Sequence, residues 1–186
     1  MKRLIVGLSG SSGPLLGIRL LEVLRKLGGV EIHLVTSGAV EKTLMHEAPG
    51  WSLERVRELA HFSYPAQQID APIASGSFTT EGMVVMPCSM RSLAAIAHGM
   101  GDNLLTRAAD VCLKERRPLI LAPRETPLNL AHLRNMVSVT EMGGVILPPM
   151  MAFYQQPRSI EDLLNHTVGK ALDLLKIPHE LYQRWK

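Results

Sequence analysis

The sequence is short of several things that would direct its reading. Two cysteines, Cys88 and Cys112, stand in 186 residues, with no Cys-x-x-Cys between them. This excludes a disulfide framework or a zinc ribbon and points to a reducing, cytoplasmic setting. Three Phe, three Tyr and two Trp are the whole aromatic complement, so the core must be aliphatic and methionine-rich. No apolar run approaches the roughly 20 residues of a membrane span, and the first run soon meets Gly7 and Ser9 and reads as a strand rather than a leader. Charge of one sign is also missing. Twenty Lys and Arg face 17 Asp and Glu, a net charge of +3, and the basic residues are scattered. That argues against a nucleic-acid stripe and suits a small anionic ligand. Seven histidines occur without metal spacing; His46-Glu47 lacks the second histidine of His-Glu-x-x-His, so no metal site is expected. Neither Gly-x-Gly-x-x-Gly nor a P-loop is present.

What is there is an alternation of strand-like and helical stretches without repeats or linkers, read as a single domain over residues 1–186 with a tail from about 177. Strands are expected at Leu4–Leu8, Val30–Thr36, Met83–Met86, Pro118–Ala122 and Val145–Leu147. Helices are expected from Pro14 to Gly28-Gly29, from a Ser37 cap to Glu47, and over Ser52–Ala60, Met90–His98, Leu104–Glu115 and Leu128–Met142. A Ser159/Asp162 capping box should open a last helix reaching about Leu175. This order is that of a doubly wound α/β fold with a mainly parallel sheet, in which ligands bind beyond the carboxyl ends of the strands.

The candidate functional residues therefore lie in the loops that follow strands. Gly7-Leu-Ser-Gly-Ser-Ser-Gly13 offers a tight turn, hydroxyls and helix-start amides suited to phosphate; a plain strand-to-helix turn would look the same. Cys88 at a helix start could be an activated nucleophile, but reads better as a buried inert thiol. The Pro-Arg124-Glu125-Thr-Pro127 loop holds an Arg-Glu pair between two prolines. Arg107 and Lys114 fall nearly on one helix face, as a solvated face also would. Tyr154 alone reads as a packing residue, and the amphipathic tail as one that docks on a neighbour or frays.

Taken in order, several segments resemble the UbiX flavin prenyltransferases over about residues 3–185. They are Gly-Leu-Ser-Gly-Ser-Ser-Gly, Thr-Ser37, Ala74-Ser-Gly-Ser77, Pro-Cys-Ser-Met90, Arg107-Ala-Ala-Asp110, Leu113-Lys-Glu-Arg-Arg-Pro118, Pro123-Arg-Glu-Thr-Pro127, His132-Leu-Arg-Asn-Met136 and Ala152-Phe-Tyr154. The resemblance implies a flavodoxin-like, Rossmann-like three-layer fold and a homo-dodecamer with flavin sites at subunit interfaces. It implies a metal-independent enzyme joining dimethylallyl phosphate to reduced FMN at N5 and C6. The product, prenylated FMN, would serve a UbiD-type decarboxylase.

Carried over by motif, Gly10, Ser11, Ser12, Ser37, Cys88, Ser89, Met90, Arg91 and Arg124 would hold FMN. Ser75, Arg107, Lys114, Tyr154, Lys170 and Trp185 would form the prenyl-donor site, and Lys114, Glu47 and Glu125 would be the acid/base or charge-balancing groups. Lys170 stands where the family often has arginine, and Met151 where proline is common. Two rival functions share the fold: an FMN-carrier subunit of an aromatic acid decarboxylase, and a flavoprotein decarboxylase of the phosphopantothenoylcysteine type. The latter expects Pro-x-Met-Asn where this chain has Pro-Cys-Ser-Met.

Overall fold

A computed structural model describes residues 2–184. Six parallel strands form one sheet: β1 (Lys2–Leu8), β2 (Val30–Thr36), β3 (Phe62–Pro65), β4 (Met83–Cys88), β5 (Leu119–Pro123) and β6 (Val145–Ile146). Their order is β3-β2-β1-β4-β5-β6. Without the short edge strand β3, this is the five-stranded flavodoxin order; with it, the order is that of a doubly wound dinucleotide-type sheet. In both descriptions the direction of winding reverses between β1 and β4.

Strand residues alternate between two separate cores because successive side chains leave opposite faces. Leu4, Val6, Leu8, Ile32, Leu34, Val84 and Met86 point to one face. There they meet α1 (Pro14–Leu27), α2 (Val40–Glu47), α3 (Leu53–Glu58) and α7 (Ile160–Leu174). Ile5, Val35, Met83, Val85 and Leu121 point to the other, against α4 (Met90–Ala97), α5 (Leu104–Lys114) and α6 (Leu130–Glu141). One buried polar group on this second face, His33, is satisfied by the Tyr64 hydroxyl at 3.1 Å and Glu31 Oε1 at 2.9 Å.

The helix starts follow their caps. Pro14 is the first residue of α1, Asn129 and His132 close a reciprocal capping box on α6, and Ser159 with Asp162 does the same for α7. Two expectations fail. Ser37 does not cap α2: the helix begins at Val40, its N-cap position is Ala39, and no side chain caps it. Strand β3 is unanticipated, because four residues ending in proline carry too short a pattern.

The tail, expected on a neighbour or frayed, packs through residue 184 on α7 of its own chain. The Tyr182 ring lies where a Cβ on Gly169 would come within 2.6 Å of it. One turn along, Asp173 accepts hydrogen bonds from Tyr182 Oη, Arg184 (2.7 Å) and His179 (3.1 Å). Partial burial alone would raise the Asp173 pKa; the hydrogen bonds from Arg184 and Tyr182 and the Arg184 charge outweigh it and hold the carboxyl at about 2. Trp185 lies outside the described residues. Among the described residues no helix is long and apolar enough to cross a membrane.

Candidate flavin site at the strand-end crevice

Where the winding reverses, the end of β1 is tied to the end of β4 through Ser9. Its hydroxyl donates to the Pro87 carbonyl at 2.9 Å and accepts from the Ser89 amide at 2.7 Å, and its own amide reaches Pro87 O at 3.2 Å. Ser9 is buried, and the sequence pattern hid its role among neighbouring serines. Beside this tie opens a cleft of about 620 Å³ with Gly10, Ser37, Ser89 and Arg91 around it and Ala94, Ala95 and Leu105 among its apolar lining. Two close approaches hold the neighbouring elements together, the first of them on the cleft wall. A Cβ on Gly10 would lie 2.3 Å from Ala39 Cβ, and one on Gly17 would lie 2.3 Å from the Met86 carbonyl oxygen. Glycine at both positions lets the β1 loop and α1 sit directly on their neighbours.

Ser89 caps α4 by accepting from the Ser92 amide at 3.2 Å. The amides of Met90 and Arg91 precede the helix's own hydrogen-bond ladder, so the α4 start presents positive potential at the cleft. Cys88 lies beneath, fully buried, and burial pushes its thiol pKa up to about 12. Ser11 and Ser12 stand beside the cleft rather than on its wall. The Ser11 hydroxyl donates to the Arg124 carbonyl at 3.1 Å. The Glu47 carboxylate accepts from the Ser12 hydroxyl at 2.9 Å and the Gly13 amide at 2.8 Å, and so occupies the start of α1. The Arg124 amide bonds Cys88 O at 3.1 Å and its side chain is exposed. Glu125, also exposed, accepts from the Thr126 amide at 3.1 Å. Arg124 and Glu125 form no ion pair with one another among the described residues.

The remaining sequence candidates gather in two other places. Arg107 Nε donates to Ala74 O at 3.2 Å and its Nη1 pairs with Asp110 at 2.8 Å. Lys114, at the other end of α5, pairs with Glu115 and stands over Gly76, next to Ser75, whose hydroxyl meets that of Ser77 at 2.8 Å. Thr106 lines the cleft, while Lys114 lies about 12 Å farther along the helix, toward the amino ends of the strands. Tyr154 reaches α7, which also carries Lys170 at 4.0 Å from Asp173, on the opposite face of the sheet. Tyr154 Oη is 3.0 Å from His166 Nε2, and Lys170 follows His166 by one turn. His166 escaped the sequence reading because a lone histidine in an amphipathic helix carries no signal.

Residues 1–172 match the Flavoprotein family. Flavin prenyltransferase UbiX of Escherichia coli (strain K12) is 52% identical over 188 aligned residues, covering 100% of this chain and 99% of that one. The chain belongs to the UbiX-type flavin prenyltransferases. Two crystal structures agree with this UbiX-type chain in backbone at a TM-score of 0.96. AnUbiX (PadA1), in complex with FMN and dimethylallyl pyrophosphate, is 47% identical, covering 100% of this chain and 97% of that one. A dodecameric FMN-dependent UbiX-like decarboxylase from Escherichia coli O157:H7 is 46% identical, with 99% of each chain covered.

Proposed function

We propose that this UbiX-type protein joins dimethylallyl phosphate to reduced FMN, releasing phosphate and forming prenylated FMN for a UbiD-type decarboxylase. One observation carries the reading above all: a phosphate-suited cleft at the β1/β4 reversal, in a chain that follows AnUbiX, solved with FMN and dimethylallyl pyrophosphate, over its whole length. The residues fit FMN. Hydroxyls of Ser37 and Ser89, the α4 amides and Arg91 suit its phosphate and polar ring edge, and Ala94, Ala95 and Leu105 suit its apolar ring face. Gly10 leaves the necessary backbone approach open, Met90 contributes its amide at the α4 start, and the Ser11–Arg124, Arg124–Cys88 and Ser12–Glu47 hydrogen bonds hold the surrounding loops in place. Reduced FMN, when bound, supplies the nucleophilic N5 and C6 and an electron-rich face.

The chain's own task is to break the allylic C–O bond. That places negative charge on the departing phosphate, which preorganised cations stabilise. Arg107, Lys114 and Lys170, with the hydroxyls of Ser75 and Tyr154, are of the right chemistry, and Trp185 is proposed to close over them. Glu47 and Glu125 balance charge and move protons at the flavin edge. These groups lie on different sides of one subunit, so a complete site requires neighbouring copies. We place it in a closed homo-oligomer, a dodecamer as in the UbiX-like relative. Exposed Leu130, Leu133 and Val137 on α6, with Met150, Met151 and Phe153, supply apolar surface for such contacts.

The test is anaerobic incubation of the protein with reduced FMN and either dimethylallyl phosphate or the pyrophosphate, followed by mass spectrometry of the released flavin. A flavin heavier by one prenyl unit is expected with the monophosphate. Unmodified flavin with both donors would favour the carrier reading, and carbon dioxide released from an added aromatic acid would favour the decarboxylase.

A further inference from the structure

Lys114 does not stand bare. Its ammonium donates to Glu115 Oε1, and the pair rests on the turn Ser75-Gly76-Ser77. Gly76 shows that room for the pair is built in. Its φ lies outside the left-handed region, so the backbone conformation does not call for glycine. A Cβ there would lie 2.2 Å from Glu115 Oε1 and 2.8 Å from Lys114 Nζ, so a side chain would displace both charged ends. The turn itself is firm. Arg117 donates to the carbonyls of Gly76 at 2.6 Å and Phe78 at 2.9 Å, and the Ser75 and Ser77 hydroxyls meet at 2.8 Å. Glu115 closes α5, its amide bonded to Val111 O at 3.0 Å, so its carboxylate is tethered beside the lysine. The hydrogen bond from Lys114, and then the lysine charge, hold this carboxyl below its ordinary pKa, and it is ionised at neutral pH.

The other two cations of the proposed grip differ in the same respect. Arg107 is covered by Asp110 at 2.8 Å. Lys170 lies 4.0 Å from Asp173, whose oxygens accept from His179, Tyr182 and Arg184 of the tail, so that carboxylate is already engaged. A bare cation holds phosphate alike before and after the reaction, which lowers KM without helping turnover. A carboxylate tethered beside its lysine competes with donor and product at a high effective concentration.

Resting on the reading that Lys114 grips the prenyl donor's phosphate, we propose that Glu115 is the built-in counter-anion of that grip. It covers Lys114 in the empty site, yields it to the donor and retakes it as inorganic phosphate leaves. A phosphate carries up to two charges against the carboxylate's one, so the donor displaces Glu115 at some cost in affinity. The gain is faster release of the product, a step that limits many enzymes. Glu115 touches neither FMN nor the reacting atoms; it is a positioning residue that acts through Lys114.

Glu115→Gln keeps the shape and removes the charge, whereas Glu115→Asp keeps the charge. With FMN-loaded, oxidised protein, which cannot turn over, calorimetry should show Glu115→Gln binding both dimethylallyl phosphate and inorganic phosphate about two- to fivefold tighter. Glu115→Asp should stay within about twofold of wild type, and FMN affinity should hold in both. The gain should vanish at about 1 M salt, where an exposed pair is screened. Under turnover Glu115→Gln should show a lower donor KM and an unchanged single-turnover rate. Inorganic phosphate should inhibit it at concentrations lower by about the same two- to fivefold. In a Lys114→Ala background, Glu115→Gln should add nothing.

If wild-type protein neither binds nor transfers the prenyl donor, the parent reading fails. If wild type does both and Glu115→Gln binds phosphate no tighter, the counter-anion role fails. A tightening that persists undiminished in the Lys114→Ala background, or at high salt, overturns the role as well.

Discussion

At Cys88 two influences pull the thiol in opposite directions. A helix start lowers a cysteine pKa, but full burial raises this one to about 12, so the thiolate is negligible at neutral pH. Cys88→Ser should retain prenylation, at a stability cost of about 1–3 kcal/mol for burying a hydroxyl, read by thermal denaturation. Lost turnover with flavin still bound would make the thiol a nucleophile after all. Tyr154 and Lys170 are exposed and adjacent to His166, which suits a ligand role more than a packing one. Tyr154→Phe and Lys170→Ala should each weaken dimethylallyl phosphate binding by on the order of 1.5–3 kcal/mol. FMN affinity should hold, and Lys170→Arg should match or better the wild type. Titrating both ligands against the three variants checks this; a fall confined to FMN would move these residues to the flavin site. Tyr154 and Lys170 enter this proposed grip through the order of motifs, since Tyr154 alone reads as a packing residue. Ser9 and His166 were not legible in the sequence, because their contacts are with partners 78 and 12 positions away in the chain.

Among the elements, α1 depends most on a missing side chain. It crosses β4 so closely that a Cβ on Gly17 would lie 2.3 Å from the Met86 carbonyl oxygen, a backbone atom that cannot swing aside. Gly17→Ala should cost about 1–3 kcal/mol or more through forced separation of helix and sheet. A lowered thermal midpoint together with weaker FMN binding is the expected signature; an unchanged midpoint would mean the helix shifts freely. The tail clamp on α7 should respond to acid. The folded Asp173 pKa of about 2 lies below the ordinary 3.8, so its stabilising effect is complete above about pH 5 and is lost as pH falls toward 2. Hydrogen exchange of residues 179–184 should therefore stay slow down to about pH 4 and quicken below it, and Asp173→Asn should quicken it at neutral pH. Long elements with full periodicity, such as α1 and α7, were readable from the chain. Ser37 misled because Ser is a good cap wherever a helix begins, and here the turn continues to Ala39 before the helix starts. β3 was missed because its short pattern gains meaning only from pairing with β2.

For the whole molecule, the parallel sheet and the cleft at the carboxyl ends of its strands follow from the βα alternation, and the order of motifs supplies the family. A linear sequence does not say which copy of the chain completes which site. Multi-angle light scattering at micromolar concentration should give a large symmetric assembly; a monomer would remove the proposed composite site.

The span of α5 carries this further. One end of the helix borders the cleft through Leu105 and Thr106, and the other carries Lys114 to the opposite edge of the sheet. If each pocket borrows its cation from next door, damage is not inherited pocket by pocket. Lys114→Ala subunits and Tyr154→Phe subunits, each slowed alone at low donor concentration, should regain part of their turnover when dissociated and reassembled together. Some pockets in such a mosaic receive both intact contributions. The recovered fraction, followed across mixing ratios, would count how many chains build one pocket, and no recovery at any ratio would mean that each chain supplies its own.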